Sequence, residues 1–446
     1  MSVSEPHVHD LVGIGFGPSN LALAIALREH NAEADETIDA VFFEKQPAFG
    51  WHRGMLIEGT TMQVSFLKDL VTMRNPASGF GFLSYLQAKG RLVDFINHKT
   101  MFPSRVEFHD YLEWAASRFI DQVRYDSEVV SASPVTVDGT IEYLDVVVRR
   151  GGGAGQTGRA RSGTELTTCR TRNLVIAAGL DPVLPPGVVA GEQVWHSHEL
   201  LTRLPELTEP QRVLVVGAGQ SAAEVTEHLH STFPAAEVCA VFTKYGYTPA
   251  DDSSFANRIF DPEAVEHYYA APEEVKRMLL AYHGSTNYSV VDLELIDELY
   301  RRVYQEKVLG AERLRILNAS RVVDLDTRPA GVRATVEFLP TGARTVLDAD
   351  LLVYATGYRP GDPLALLGEV GEHCRTRAEG GLRVERDYRV ATTGDVRCGI
   401  YLQGATEHTH GLTSTLLSNT AVRAGEIVGS IAGRSTAAPP PYAMSR

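Results

Sequence analysis

The feature that most constrains this chain is a pattern that occurs twice. Asp10-Leu11-Val12-Gly13-Ile14-Gly15-Phe16-Gly17-Pro18-Ser19-Asn20 runs into Leu21-Ala22-Leu23-Ala24-Ile25-Ala26-Leu27, and Arg212-Val213-Leu214-Val215-Val216-Gly217-Ala218-Gly219-Gln220-Ser221-Ala222-Ala223-Glu224 returns to it. Each is an apolar run that breaks into glycines and resumes with helical character: strand, tight turn, helix. Gly15 permits the tight turn. Gly17 lets the backbone approach a pyrophosphate on the helix N-terminus, where free N–H groups and the dipole favour an anion. Asn20 replaces the usual third glycine, a departure expected to lose some close helix–strand packing while sparing the phosphate cradle. Ala222 takes that position in the second copy.

The strands that follow differ in a useful way. Ala40-Val41-Phe42-Phe43 ends on Glu44, a carboxylate placed to hold a ribose hydroxyl, whereas Glu237 to Phe242 ends on Thr243-Lys244. Exchanging a carboxylate for a cation suits a 2′-phosphate, so the second half is expected to take NADPH, with Lys244 as its contact. Two such units predict an α/β chain with two Rossmann-like dinucleotide-binding domains and a small substrate-binding region. A third landmark, Asp350-Leu351-Leu352-Val353-Tyr354-Ala355-Thr356-Gly357-Tyr358, reads as the return from the second domain to the first. The expected boundaries are 1–205, 206–350 and 351–434, with a disordered Pro-rich tail over 435–446. An amphipathic helix is expected over 105–119, strands near 125–150 with a glycine-rich hairpin loop at 151–158, and a helix starting near Thr415.

Length allows this plan: 446 residues give two or three domains. A net charge of −14 disfavours nucleic acid and leaves no polybasic surface for anionic membranes. No apolar run approaches the ~20 residues of a membrane helix, and Met1 to Asp10 lacks the pattern of a signal peptide, so a cytoplasmic protein is expected. Four separated cysteines without C-x-x-C read as reduced thiols, against a disulfide reductase. Glu407, His408 and His410 invite a metal reading, but no further ligand pattern stands nearby and no metal is expected. Gly394-Asp395 reads as a turn.

Four further stretches carry a resemblance. Met62-Gln63-Val64-Ser65-Phe66-Leu67-Lys68-Asp69-Leu70, Asp251-Asp252-Ser253-Ser254-Phe255-Ala256-Asn257, Thr286-Asn287-Tyr288-Ser289-Val290-Val291 and His410-Gly411 with Leu416-Leu417-Ser418 resemble, in order, the microbial N-hydroxylating flavoprotein monooxygenases. These are the L-ornithine N5- and L-lysine N6-monooxygenases of hydroxamate siderophore synthesis. The resemblance spans roughly residues 10 to 430, and Asp350 to Pro363 matches the family's Ala-Thr-Gly signature with Tyr354 where Leu or Phe is usual. It implies that FAD is held by Gly15, Gly17, Pro18, Asn20, Glu44, Lys45, Trp51, His52 and Gln63, and by groups near Val130, Thr415, Leu416 and Leu417. It implies that NADPH is held by Gly217, Ala218, Gly219, Gln220, Ser221, Asn287, Tyr288 and Ser289. Lys68, Asn257, Asn287 and Ser418 are then the substrate residues, with Asn287 and Gln63 beside the reacting centre. The family carries a basic residue where Thr243 stands, with Lys244 one step displaced. Phe255-Ala256-Asn257-Arg258 departs from the commoner Phe-Val-Asn-Glu.

The implied reaction is flavin chemistry: reduced FAD adds O2 to give a C4a-hydroperoxide, and an uncharged amine attacks its distal oxygen. No protein nucleophile is needed. That agrees with a chain carrying no Ser-His-Asp or Cys-His arrangement. An amine of pKa ~10.4 must lose its proton, and the sequence names no group that accepts it. L-ornithine is the expected substrate because Phe95 to Arg105 resembles the ornithine branch, with L-lysine or a diamine as alternatives, since one methylene is worth only ~1–3 kcal/mol. A homo-oligomer, a tetramer by resemblance, is expected. Taken singly, Lys68 reads as a surface lysine, Asn257 as an Asx-turn residue, Asn287 as a strand end, and His52 beside Trp51 as aromatic packing. A Baeyer–Villiger enzyme lacks its full motif here. A non-catalytic protein on a retained flavoprotein fold is opposed by the intact glycines.

Overall fold

A computed structural model describes residues 7–151 and 165–433. The expected tail at 435–446 and most of the glycine-rich loop at 151–158 lie outside the described residues. The chain opens with β1 (Val8–Ile14), the helix Pro18–Glu33 and β2 (Ala40–Phe43), a parallel unit in register from Leu11 opposite Ala40 to Ile14 opposite Phe43. Helical segments then cover 82–119, including Arg105–Ala116, whose first turn is capped by Ser104 accepting from the Glu107 N–H at 3.1 Å. Strands β3 (Val123–Arg124), β4 (Ser127–Val137), β5 (Thr140–Arg150) and β6 (Glu165–Ile176) complete most of one sheet, ordered β3-β2-β1-β6-β5-β4.

Next, β7 (Leu180–Pro182) leads to β8 (Val194–His196), β9 (Arg212–Val216), the helix Gln220–Thr232, β10 (Glu237–Val241) and β11 (Leu314–Leu317). A three-stranded antiparallel sheet of β12 (Ser320–Arg328), β13 (Gly331–Phe338) and β14 (Ala343–Ala349) follows. Then β15 (Leu351–Tyr354) inserts between β9 and β8, giving a five-stranded parallel sheet ordered β11-β10-β9-β15-β8. Finally β16 (Tyr358–Pro360) pairs antiparallel with β7, and β17 (Gly399–Leu402) joins β6 in parallel. The Val, Ile and Leu runs of β1, β9 and β15 are buried on both faces, as parallel strands covered by helices require.

Two expected boundaries need correction. Both β8 and β15 belong to the second sheet, so cuts at 205 and 350 each fall inside it. The chain crosses between domains at β7 and β16, whose pairing lays the two crossings side by side. The helix expected near Thr415 begins at Thr420, because the backbone first makes two single turns, Leu412–Thr415 and Leu417–Asn419. No helix among the described residues is long and apolar enough to cross a membrane.

Candidate functional site

The two glycine turns are built alike. Gly15 has φ +80°, and a Cβ there would lie 2.4 Å from the Ala177 carbonyl oxygen; Gly217 has φ +150°, and its Cβ would meet the Ala355 oxygen at the same 2.4 Å. In each case the strand on the far side of the turn leaves no room for a side chain. Gly17 differs, having ordinary backbone angles and open space where a Cβ would project. Both helices start without a side-chain cap, which leaves first-turn N–H groups free for an anion.

Between these turns lies one cavity of about 2690 Å³, far larger than the usual 300–1,000 Å³ of a small-ligand pocket. Its wall brings together Gly15, Gly17, Pro18, Glu44, Lys45, Trp51, His52, Gln63, Leu416 and Leu417 from the first half. From the second come Gly217, Ala218, Gly219, Gln220, Ser221, Asn287, Tyr288 and Ser289, while Lys68, Asn257 and Ser418 share the same wall. The two open helix ends, the glycine without neighbours and the volume suit two dinucleotides and a small substrate.

Asn20, Val130 and Lys244 are off this wall. Asn20 is fully buried: its Nδ2 donates to the Ile14 and Gly15 oxygens at 3.1 and 2.7 Å, and its Oδ1 accepts from Gln403 at 2.8 Å. It therefore stitches strand to helix instead of loosening them, which corrects the expected packing loss. Val130 sits at a bulge where pairing with β5 skips from Val129 to Ser131, and Val129 is the wall residue there. Lys244 turns away, donating Nζ to the Ser289 oxygen at 2.6 Å and to Thr248 Oγ1 at 3.3 Å. Among the cations on the wall is Arg321, which follows Ser320, whose N–H donates to the Phe242 carbonyl next to Thr243, and which pairs with Glu337 at 2.9 Å. Thr415 closes the turn Leu412–Thr415.

The residues expected to meet substrate or cofactor have distinct surroundings. Lys68 is half-buried with its ammonium 5.6 Å from the Phe260 ring centre; desolvation lowers its pKa, against the pull of Asp261. Asn257 Nδ2 donates to the Asp252 and Ser253 oxygens at 2.6 and 3.3 Å, the local turn its neighbours suggested. Asn287 follows the turn Gly284–Thr286, not a strand. Glu44 accepts from the Phe16 and Gln46 N–H groups at 2.7 and 2.8 Å. His408 and His410 point at the Leu382 and Arg386 carbonyls, and Glu407 bonds Tyr288 Oη.

Sequence reasoning missed a polar chain across the cavity. Arg105 grips the buried Glu224 with two bonds of 2.7 and 2.8 Å and also donates to the Met55 oxygen at 3.1 Å. Asp292, whose pKa is raised by desolvation, accepts from Gln63 and Gln220. A charged residue at Glu224, flanked by Ala222, Ala223 and Val225, was the available signal.

Two domains, one on a mixed sheet and one on a parallel sheet, face each other across one cavity, and each offers a glycine turn and an open helix end between parallel strands; together they define an enzyme class that works with two dinucleotides. Comparison with known proteins narrows it. The sequence model of the L-lysine 6-monooxygenase/L-ornithine 5-monooxygenase family matches residues 7–360. An L-ornithine N(5)-monooxygenase of Burkholderia cepacia is 42% identical over 416 residues, 91% of this chain and 90% of that protein. The solved ornithine N-hydroxylase of Kutzneria sp. 744, with reduced FAD, NADP+ and L-ornithine, is 47% identical with a TM-score of 0.90, covering 96% of this chain and 99% of that one. The ornithine hydroxylase PvdA of Pseudomonas aeruginosa gives 36% and 0.88, with coverage of 95% and 99%. The chain belongs to the L-lysine 6-monooxygenase/L-ornithine 5-monooxygenase family.

Proposed function

We propose that this protein is an FAD- and NADPH-dependent monooxygenase that hydroxylates the side-chain nitrogen of L-ornithine. One oxygen atom of O2 enters the N–H bond, the other leaves as water, and NADPH supplies the two electrons. Bound FAD and NADPH supply the redox and oxygen-transfer chemistry. The chain's own part is to bind, orient and exclude water. The observation that carries this reading is the single cavity in which Lys68, Asn257 and Ser418 share a wall with both glycine turns.

In this reading Lys68 attracts the substrate carboxylate with a partly desolvated ammonium, and Asn257, its Nδ2 held by the Asp252 and Ser253 carbonyls, presents its amide oxygen to the substrate amino group. Ser418 borders the reacting end. Asn287 to Ser289 face the nicotinamide side, and Arg321 approaches the 2′-phosphate beside Thr243. Ornithine is preferred because the ornithine enzymes from Burkholderia and Kutzneria share 42% and 47% identity with this chain. The N-hydroxylated product is ready for acylation to a hydroxamate, the iron-binding group of siderophores. A homo-oligomer belongs to the same proposal and is read by light scattering.

The test is mass analysis of the product after turnover with NADPH and isotopically labelled O2. One labelled oxygen on the side-chain nitrogen of ornithine supports the reading. Recovery of unmodified ornithine would overturn it.

A further inference from the structure

Asp292 takes no part in the reading above, yet its carboxylate joins both halves of the molecule. Gln63, from the first half, donates Nε2 to Asp292 Oδ2 at 2.5 Å. Gln220, the first residue of the second dinucleotide helix, donates to the same oxygen at 3.0 Å, and its Oε1 accepts from the Asp292 N–H at 2.8 Å. Gln220 Nε2 also reaches Glu224 at 3.0 Å, which Arg105 of the first half grips. One carboxylate oxygen thus fixes three segments: Gln63, the turn Gly217 to Gln220, and the loop Asn287 to Asp292.

That loop has little freedom. Ser289 is held at φ +61°, its Cα lies 3.4 Å from where a Cβ on Gly219 would stand, and Lys244 pins its carbonyl. Gln63, Gln220, Asp292 and Arg105 all border the cavity. Any shift at Asp292 is therefore passed to the two segments that meet the nicotinamide and to the side chain facing the flavin side.

We propose that Asp292 is a positioning residue that sets the distance and angle between the nicotinamide-side loop and the flavin side of the cavity. It does so as a shared acceptor for two primary amides, so its geometry matters more than its charge. The inference rests on the FAD- and NADPH-dependent reading.

Two substitutions separate position from charge. Asp292→Ala removes the shared acceptor and frees both amides. Asp292→Asn keeps an oxygen in the same place and removes the charge. The measurements are anaerobic flavin reduction by NADPH in the stopped flow, without amine, and the fraction of NADPH oxidised that becomes hydroxylated product. For Asp292→Ala we expect flavin reduction slowed about tenfold and most electrons diverted to hydrogen peroxide, with the KM for ornithine within about twofold of the parent. Asp292→Asn should recover most of both readouts. Parent-like reduction and coupling in Asp292→Ala would overturn the proposal, and so would an Asn variant as impaired as the Ala variant. If the parent enzyme hydroxylates no amine, the proposed function fails, while the reductive step still reads Asp292 on its own.

Discussion

Replacing Lys68 by alanine tests the substrate wall most sharply. The ammonium is half-buried beside Phe260, and desolvation already lowers its pKa, so the charge is held away from water in readiness for an anion. A hydrogen bond to a charged partner is worth about 1.5–3 kcal/mol net, which is about 10- to 150-fold in binding. Lys68→Ala should therefore raise the KM for ornithine by that factor. It should leave FAD content and anaerobic reduction by NADPH within about twofold, since neither step uses the substrate carboxylate. The pH profile gives a second reading. Because its pKa lies below that of an ordinary lysine, Lys68 loses its charge at a lower pH than usual, and ornithine binding should weaken as pH rises through that value. Lys68→Arg, which stays charged, should move this alkaline limb upward. Oxygen consumption against ornithine concentration supplies the KM, and stopped-flow absorbance the reduction rate. A KM within threefold of the parent in Lys68→Ala would remove Lys68 from the substrate site.

Further expectations follow from the cavity and the interface. Gly15→Ala should abolish FAD binding and lower the melting temperature, because φ +80° and the Ala177 carbonyl at 2.4 Å both oppose a Cβ, whereas Gly17→Ala should lose FAD while the protein stays folded. Calorimetry with flavin absorbance separates the two, and equal loss of fold would refute the distinction. Arg105→Met takes the cation from a nearly inaccessible carboxylate, leaving it the neutral Gln220 amide as a donor, and should cost about 3–5 kcal/mol, while Glu224→Gln leaves a more accessible guanidinium and an acceptor, costing about 1–2 kcal/mol. Denaturation in excess FAD tests this order, and the reverse order would contradict it. Arg321→Ala should weaken NADPH several-fold relative to NADH, while Lys244→Ala should affect both alike through the Ser289 loop; titration of flavin reduction with each nucleotide decides.

The sheets and turns were legible because their causes are local. A parallel strand buried on both faces must be an apolar run, and a turn against a neighbouring carbonyl must be glycine, so Val12 to Gly17 and Val213 to Gly219 could be read directly. Lys244 is off the cavity wall because β10 ends at Val241 and the bend that follows it leaves Thr243 on the wall while the Lys244 ammonium is spent on the Ser289 carbonyl, a contact 45 positions away that no local pattern announces. The return crossing was legible in Ala355-Thr356-Gly357-Tyr358, which runs into β16, whereas the outward crossing at β7 was not, because a three-residue strand with little apolar content leaves no pattern. The partners of Asp292, Glu224 and Arg105 were hidden for another reason, although Glu224 stood out as a charge in an apolar run. Their roles come from partners 229 and 119 positions away, where sequence carries no periodic signal.

The measurement that bears most directly on the central claim is the amount of hydroxylamine formed per NADPH oxidised, compared for ornithine, lysine, putrescine and no amine. The account predicts near-stoichiometric product with ornithine and little with the others. NADPH oxidation that yields only hydrogen peroxide with every amine would contradict it.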